Sequence, residues 1–200
     1  MRKVDHDTRR EEIAAAAARL IADKGMEGLT TRALAKAMGC SIGVLSHYFN
    51  SKDDIVLAAF NWADSNIDRR MEAILAENPT LDAFIPVIQA GLPLTEESDV
   101  EWRVRFNLYS HTLTSSKDLI RQQEKLQNFR LLLNELITDL QLRKEVRDDI
   151  PSSEITSVAF DLTIGAAQNL LMMPMNQREA YAETIFKLVE SLRPKYQEKP

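Results

Sequence analysis

Three residue types are scarce in this chain, which has one cysteine, six glycines and seven prolines among 200 residues. A single cysteine excludes an intramolecular disulfide, and together with three histidines it supplies too few ligands for a zinc cluster. Average usage would give about twice as many glycines and prolines. Because these two residues break helices and form turns, their scarcity beside abundant alanine and leucine predicts long helices rather than short strands.

Long apolar runs are also missing. The longest run of small apolar residues, Ala14 to Ala18, has Glu11 and Glu12 shortly before it and ends at Arg19. A membrane-spanning helix needs about 18 uninterrupted apolar residues, and a signal peptide needs a cleavage-type site. The sequence predicts neither. Because 44% of the residues are hydrophobic, the chain can bury a core, and we expect a soluble cytoplasmic protein.

The formal net charge of −5 is unevenly distributed. The first 55 residues hold nine basic and eight acidic side chains, whereas the remaining 145 residues hold 16 and 22. Overall acidity argues against a nucleic-acid partner, but that argument does not apply to the near-neutral N-terminal quarter. The asymmetry suggests two regions with different partners, and a mixed solvated surface is the alternative.

Apolar residues recur at helical spacing along most of the chain, which predicts about nine helices and an all-α fold. Thr8 and Glu11 fit a capping box that would begin the first helix, and Gly25 would end it. Farther along, Pro86 is expected to kink a helix over residues 81–90. We find no convincing strand.

Two short helices separated by a tight turn follow the first helix. Thr30 or Thr31 would cap the first of them, Gly39 allows the chain to reverse, and Ser41 would cap a helix over residues 42–49. An eight-residue helix is too short to be stable alone, so it must pack against the first helix. This arrangement predicts a helix-turn-helix.

The second short helix has one side for the core and another for a partner. Leu45 and Phe49 are the expected core residues. The opposite side carries Ile42, Gly43, Ser46, His47 and Tyr48. Such a mixture suits the DNA major groove, where apolar groups meet thymine methyls and polar groups meet base edges. Thr31, Arg32 and Lys52 lie at predicted helix starts, where phosphates bind.

Residues 28–55 read GLTTRALAKAMG, CSIGVLSHYF and NSKDDI in succession. Over about residues 8–60 the chain resembles the TetR family of transcriptional repressors. The resemblance implies a dimer whose helix-turn-helix domain, residues 1–50, binds a near-palindromic double-stranded DNA operator. It implies that residues 51–200 form a helical domain with the dimer interface and a pocket for a small-molecule effector of unknown identity. No catalytic residue, cofactor or metal is predicted.

The resemblance assigns DNA contacts by position. The nine residues are Thr31, Arg32, Ile42, Gly43, Val44, Ser46, His47, Tyr48 and Lys52. For His47 and Tyr48, packing against the first helix is the alternative. Most family members have tyrosine where this chain has Ser46, and the Ser-His-Tyr-Phe run of residues 46–49 is similar to the choline/betaine-pathway (BetI-type) repressor subgroup. The operator sequence stays open.

The C-terminal half offers candidates for an effector pocket and for a dimer interface. The pocket candidates are Trp102, Phe106, Tyr109, His111, Asn169 and Met173. Aromatic residues at helical spacing are also typical of an ordinary core, which is the alternative. Small residues over 163–167 would allow helices to approach across a two-fold interface. Its predicted apolar part is Ile164, Leu170, Ile185, Phe186 and Val189.

Two other function classes compete with a repressor. A helical enzyme is not predicted, because the chain has no glycine-rich phosphate loop, no nucleophile elbow and no cluster of histidine, cysteine and aspartate. Its histidines, His6, His47 and His111, give few candidates for a general base. A helical protein-interaction module without DNA binding is the other alternative. Footprinting on DNA separates it from a repressor.

Overall fold

The computed structural model describes residues 2–77, 79–112 and 116–194, with side chains for 6–77, 79–110, 123–124 and 126–194. Within these ranges the chain forms nine α-helices and no strand, which confirms the predicted all-α class. The helices are α1 (Arg2–Gly28), α2 (Thr31–Ala37), α3 (Ile42–Tyr48), α4 (Lys52–Glu77), α5 (Phe84–Gly91), α6 (Glu96–Thr112), α7 (Ser116–Leu142), α8 (Ser152–Leu171) and α9 (Met175–Glu190). None of the helices in these ranges is long and apolar enough to cross a membrane.

The chain divides into two compact units. The first unit comprises Met1–Arg69 and Thr95–Thr114, and the second comprises Arg70–Leu94 and Ser115–Pro200. The first unit extends beyond residue 50 because α6 packs along α1. The assignment of DNA binding to residues 1–50 and of effector binding and dimerisation to residues 51–200 stays a prediction.

α1 differs from the predicted first helix at its start. It begins at Arg2, so Thr8 lies inside the helix, and the predicted cap at Thr8 is wrong. The residues before Thr8 include no glycine or proline that would stop a helix, and helical bonding continues through them. Gly25 interrupts the helix as predicted, with φ 69° and ψ −179°, although helical bonding resumes to Gly28. A left-handed φ of this kind favours glycine over any other residue.

The core of the first unit joins the three N-terminal helices to α4 and α6. Its fully buried side chains include Ile13 and Ile21 of α1, Leu34 of α2, Leu45 of α3 and Val104 of α6. These apolar contacts stabilise helices of seven residues that would not persist alone in water. The packing therefore gives α2 and α3 a fixed orientation within this unit.

The second unit has its own core, formed by α5, α7, α8, α9 and the segments beside them. Its buried residues are Leu81, Phe84, Ile137, Leu140, Val146, Ile155 and Val189. The helix expected over residues 81–90 starts instead as a 3₁₀ turn, Leu81–Ala83, followed by α5. Pro86 therefore lies in the first turn of α5, where its missing N–H has no intrahelical acceptor to lose.

Several residues predicted for the dimer interface are buried inside the second unit. Leu170, Ile185 and Val189 are at most 7% exposed, so they are core residues, and their assignment to an interface is wrong. The physical reason is that α8 and α9 pack against each other and against other helices of this unit, which uses these faces internally. Ile164 and Phe186 are half-buried.

Candidate nucleic-acid interface

α2 and α3 form a helix-turn-helix whose ends are well defined. The Thr30 hydroxyl accepts a hydrogen bond from the Ala33 N–H at 3.0 Å, so Thr30 caps α2. Gly39, with φ 62°, provides the left-handed residue in the turn. Ser41 caps α3 through the Val44 N–H at 3.4 Å. The turn residues thus behave as their types predict.

α3 is one residue shorter than predicted, because Phe49 has extended backbone geometry with φ −137° and ψ 135°. The Phe49 side chain is still buried, as is Leu45, so both are core residues as predicted. Ile42 on the other side is 45% exposed, which is unusual for a large apolar side chain in a helix of only seven residues. An exposed isoleucine beside exposed Ser46 and His47 is consistent with a surface that contacts a partner.

The predicted DNA contacts lie on three helices of the first unit, and most of them are accessible. Thr31, Arg32, Ile42, Gly43, Ser46, His47 and Lys52 are exposed, whereas Val44 and Tyr48 are half-buried. The Ser46 hydroxyl donates to the Ile42 carbonyl at 3.2 Å within α3, and its oxygen keeps acceptor capacity for a second partner. The structure therefore leaves the predicted surface open to solvent.

The start of α4 carries Lys52 in a defined position. Ser51 and Asp54 cap this helix reciprocally: the Ser51 hydroxyl accepts from the Asp54 N–H at 3.0 Å, and the Asp54 carboxylate accepts from the Asn50 N–H at 3.1 Å. Lys52 Nζ donates to the Met26 carbonyl at 3.3 Å. One of its three ammonium donors is thus held against α1, and the group stays exposed for an anion.

Two residues of α1 that were not predicted as site residues also contact the end of α3. Arg10 donates to the Tyr48 carbonyl, and its guanidinium carbon lies 4.3 Å from the centre of the Phe49 ring. The His6 ring lies 4.8 Å from Tyr48 and 6.0 Å from His47, between ring centres. The capping box predicted at Thr8 puts His6 before the first helix. His6 is four residues before Arg10, and residues at this spacing lie on the same side of a helix.

The neighbouring pair Thr30 and Thr31 separates helix capping from DNA contact. Thr30→Ala removes the hydroxyl that accepts from Ala33, so we expect the free energy of unfolding to fall by about 1 kcal/mol. Thr31→Ala changes an exposed side chain that does not cap α2, so we expect stability to change by less than about 0.5 kcal/mol while operator affinity falls. Urea unfolding and DNA titration measure the two effects. Equal stability losses would contradict the capping assignment.

The three described aromatic candidates for the effector pocket lie together on α6. Trp102 and Phe106 have ring centres 5.5 Å apart, and Phe106 and Tyr109 have ring centres 5.8 Å apart. Trp102 is only 2% exposed, and the Arg105 guanidinium carbon lies 4.5 Å from its ring centre. Tyr109 packs against the core of the first unit, while Phe106 and Tyr109 are both half-buried.

The other pocket candidates are placed elsewhere. The side chain of His111 lies outside the described residues. Asn169 and Met173 belong to the second unit, where the Asn169 amide donates to the Tyr181 hydroxyl at 3.2 Å. Their assignment to an effector pocket stays a prediction.

An open groove of about 300 Å³ lies within the first unit. It is lined by residues of α1 and α4 that include Arg10, Glu11, Trp62 and Arg69. None of the predicted effector residues with a described side chain lines it. The described part of the chain contains no group of three histidine, cysteine, aspartate or glutamate side chains arranged to hold a metal ion.

Tyr109 provides a test of how tightly this interior is packed. Burial raises the pKa of the Tyr109 hydroxyl, against the smaller opposing effect of Arg105. The folded state therefore favours the neutral phenol, a contribution that is present below the ordinary pKa of about 10 and is lost as the pH rises through the higher folded value. As the pH rises from about 8 to about 10.5, we expect the free energy of unfolding of Tyr109→Phe to fall less than that of the parent chain. Urea unfolding at each pH measures this. An unchanged pH dependence would contradict this.

Within the described ranges the chain is all-helical and carries a helix-turn-helix at α2 and α3. Residues 13–59 match the family model described as bacterial regulatory proteins, tetR family. The matched segment runs from α1 into α4 and includes the helix-turn-helix.

Two curated relatives match part of the chain. The chain is 31% identical over 106 residues to the HTH-type transcriptional regulator PksA of Bacillus subtilis, covering 52% of each chain. It is 37% identical over 76 residues to the HTH-type transcriptional repressor AcnR of Corynebacterium diphtheriae, covering 38% of each. The matched part of the chain thus spans about half the length, or less, of these curated relatives.

Solved structures show that the fold similarity extends farther. A transcriptional regulator from Rhodococcus sp. Rha1 has a TM-score of 0.75 at 21% identity, covering 92% of this chain and 95% of the other. At this identity the similarity concerns the fold alone. The fold similarity therefore includes the C-terminal helices of this chain.

Proposed function

We propose that this protein is a ligand-responsive transcriptional repressor that binds a near-palindromic DNA operator as a homodimer and is released by a small-molecule effector. The observation that carries the proposal is the open side of α3, flanked by Arg32 at the start of α2 and Lys52 at the start of α4. A recognition surface between two phosphate-binding positions is what reading the major groove requires. The name of AcnR, a transcriptional repressor, supports repression as the direction of control.

In this mechanism, different residues contact the DNA bases and the backbone phosphates. Ile42 and Ser46 on α3 would contact base edges, because they are exposed on a helix narrow enough to enter the major groove, and the exposed His47 would contact a base edge or a backbone phosphate. Arg32 and Lys52 would hold backbone phosphates and thereby fix the register of α3. In a two-fold dimer the two copies of α3 would lie about 34–36 Å apart, or a multiple of that distance, to meet successive major grooves.

Dimerisation is proposed on the exposed apolar residues of the second unit. Val158 and Leu162 are 63% and 36% exposed on successive turns of α8, Met172 is 73% exposed after it, and Leu188 of α9 is 49% exposed. Gly165 lies on the same helix, and a Cβ there would meet nothing within 4 Å. These residues replace the buried ones predicted from the sequence. A mainly apolar stripe of this kind suits an isologous interface between two copies.

Leu162→Glu tests the dimer. The substitution introduces a carboxylate into the centre of the proposed interface, where it has no partner, so we expect the dimer to dissociate to monomers at micromolar concentration. Analytical ultracentrifugation measures the change. Glu183→Gln, an exposed substitution on α9, is the control that keeps the dimer. A monomeric parent chain, or a dimer that survives Leu162→Glu, would show that copies associate elsewhere or not at all.

An effector would act by binding one conformation of the dimer more tightly than another. α4 is the proposed connection, since it contains Arg69 and Arg70, between which the chain passes from the first unit to the second. We further propose membership of the BetI-type subgroup on the Ser-His-Tyr-Phe run of residues 46–49. A thermal-shift screen of quaternary amines, fatty acids and aromatic drugs tests the ligand class.

DNase footprinting of the region upstream of the protein's own gene tests the central claim. We expect a protected near-palindrome whose two halves are spaced by one or more helical turns. Adding the effector found in the screen should remove the protection. Absence of any protected site would favour a protein-interaction module instead.

A further inference from the structure

The first two turns of α1 hold the last turn of α3 through side chains outside the segment that matches the family model. The rings of His6, His47 and Tyr48 are in mutual contact, with centres 4.8 Å, 5.1 Å and 6.0 Å apart. Arg10, one turn after His6, donates to the Tyr48 carbonyl, which is an otherwise free carbonyl position at a helix end. Two residues of α1 therefore determine where the end of the recognition helix lies.

Two of these three rings are imidazoles. His47 is exposed on the proposed DNA side and His6 is half-buried beside it. Among the described side chains, the Asp7 carboxylate lies 3.9 Å from His6, and Arg10 and Tyr48 lie at the same end of α3. Histidine is the side chain whose charge ordinarily changes between pH 5 and 8.

The described charged side chains near the imidazoles have partners of their own or are exposed to solvent. Arg9 forms an ion pair with Glu12 at 2.6 Å, and Arg10 is held by the Tyr48 carbonyl and the Phe49 ring. The Asp7 carboxylate lies 3.9 Å from His6, but it is 70% exposed, so water and salt screen its attraction.

We propose that His6 is a positioning residue for DNA recognition, and that the His6–His47 pair takes up a proton when α3 binds next to a DNA backbone phosphate. This inference rests on the proposed DNA-binding function. A nearby phosphate favours the charged imidazole, and the charged imidazole in turn strengthens binding to the phosphate. Because binding takes up a proton, operator affinity rises as the pH falls from 8 to 6.

Equilibrium titration of an operator fragment with the full chain, at pH 6, 7 and 8 and constant ionic strength, tests the proposal. We expect the parent chain to bind about tenfold more tightly at pH 6 than at pH 8, which corresponds to an average uptake of about half a proton over these two pH units. His6→Gln keeps the size and hydrogen-bonding capacity of the side chain without the titration. We expect it to reduce that ratio to about threefold or less, with less than about a twofold loss at pH 8.

A conservative variant distinguishes charge from shape. His6→Arg carries a permanent charge, so we expect its affinity at pH 8 to approach that of the parent chain at pH 6, which a purely structural role of His6 would not produce. Lys24→Gln, an exposed substitution near the other end of α1, is the control that keeps the parent ratio. Circular dichroism checks that each variant is folded.

The outcomes separate this inference from the proposed function. If the parent chain binds a specific operator and its affinity does not depend on pH, or if His6→Gln keeps the parent ratio, then the inference is wrong and the DNA-binding function stands. If the parent chain binds no specific DNA at any pH, then the proposed function is wrong, and this inference fails with it.

Discussion

Reversing the charges of Arg32 and Lys52 together, as Arg32→Glu with Lys52→Glu, is expected to weaken operator binding by at least about 100-fold at physiological salt. Each substitution removes a cation from a phosphate position at a helix start and places a carboxylate there. Both residues are exposed, and acidic residues are favourable in the first turn of a helix, so the domain should stay folded. Electrophoretic mobility shifts over a salt series measure the change.

The salt dependence of operator affinity is a second, independent measurement on the same variant. Each phosphate contact that is lost reduces the slope of log affinity against log salt concentration by about 1, so we expect a shallower slope by at least about 2. The loss should be similar for specific and non-specific DNA, because phosphate contacts carry no base information.

A matched control separates position from bulk charge. Arg19→Glu with Lys24→Glu changes the net charge equally on exposed residues of α1 that are not among the proposed contacts. We expect it to weaken binding far less. The N-terminal 55 residues carry nearly balanced charge, so Arg32 and Lys52 must act through their positions at helix starts. An equal effect of the two variants would show that bulk charge is responsible instead.

Arg105→Met is expected to lower the free energy of unfolding by about 3 kcal/mol, the largest stability effect that we predict. Arg105 of α6 pairs with Asp64 of α4 at 3.0 Å, and the Asp64 side chain is only 3% exposed. Removing the arginine leaves a buried carboxylate without its cationic partner, which costs more than the ion pair itself contributes. The guanidinium also packs on the Trp102 ring, and methionine replaces much of that contact.

Two further variants identify the origin of that loss. The double variant Asp64→Leu with Arg105→Met should recover most of the stability, because both charges are then absent from the interior. Arg103→Met on the same helix removes the pair with Asp99, whose arginine is 41% exposed, and should cost less than about 1 kcal/mol. Urea unfolding measures all three. An equal loss from Arg103→Met and Arg105→Met would show that burial of Asp64 is not the cause.

The capping residues show which helix ends can be predicted from nearby residues. Gly39 lies in the turn after α2 and Ser41 caps the start of α3, both as the sequence predicts, because a cap depends on atoms within three or four residues. The capping box at Thr8 fails by the same reasoning. It is a local pattern too, but nothing before it stops the helix, so α1 continues to Arg2.

The sequence by itself determined the helical class, the position of the helix-turn-helix and the residues on its open side, since helical periodicity and turn chemistry are short-range. Only the tertiary structure decided which apolar faces of α8 and α9 are core and which are exposed, because adjacent faces of one helix have similar composition. It alone brought His6 to His47 and Asp64 to Arg105, pairs 41 residues apart in the chain. Contacts at such separations depend on how whole helices pack, and no local pattern encodes them.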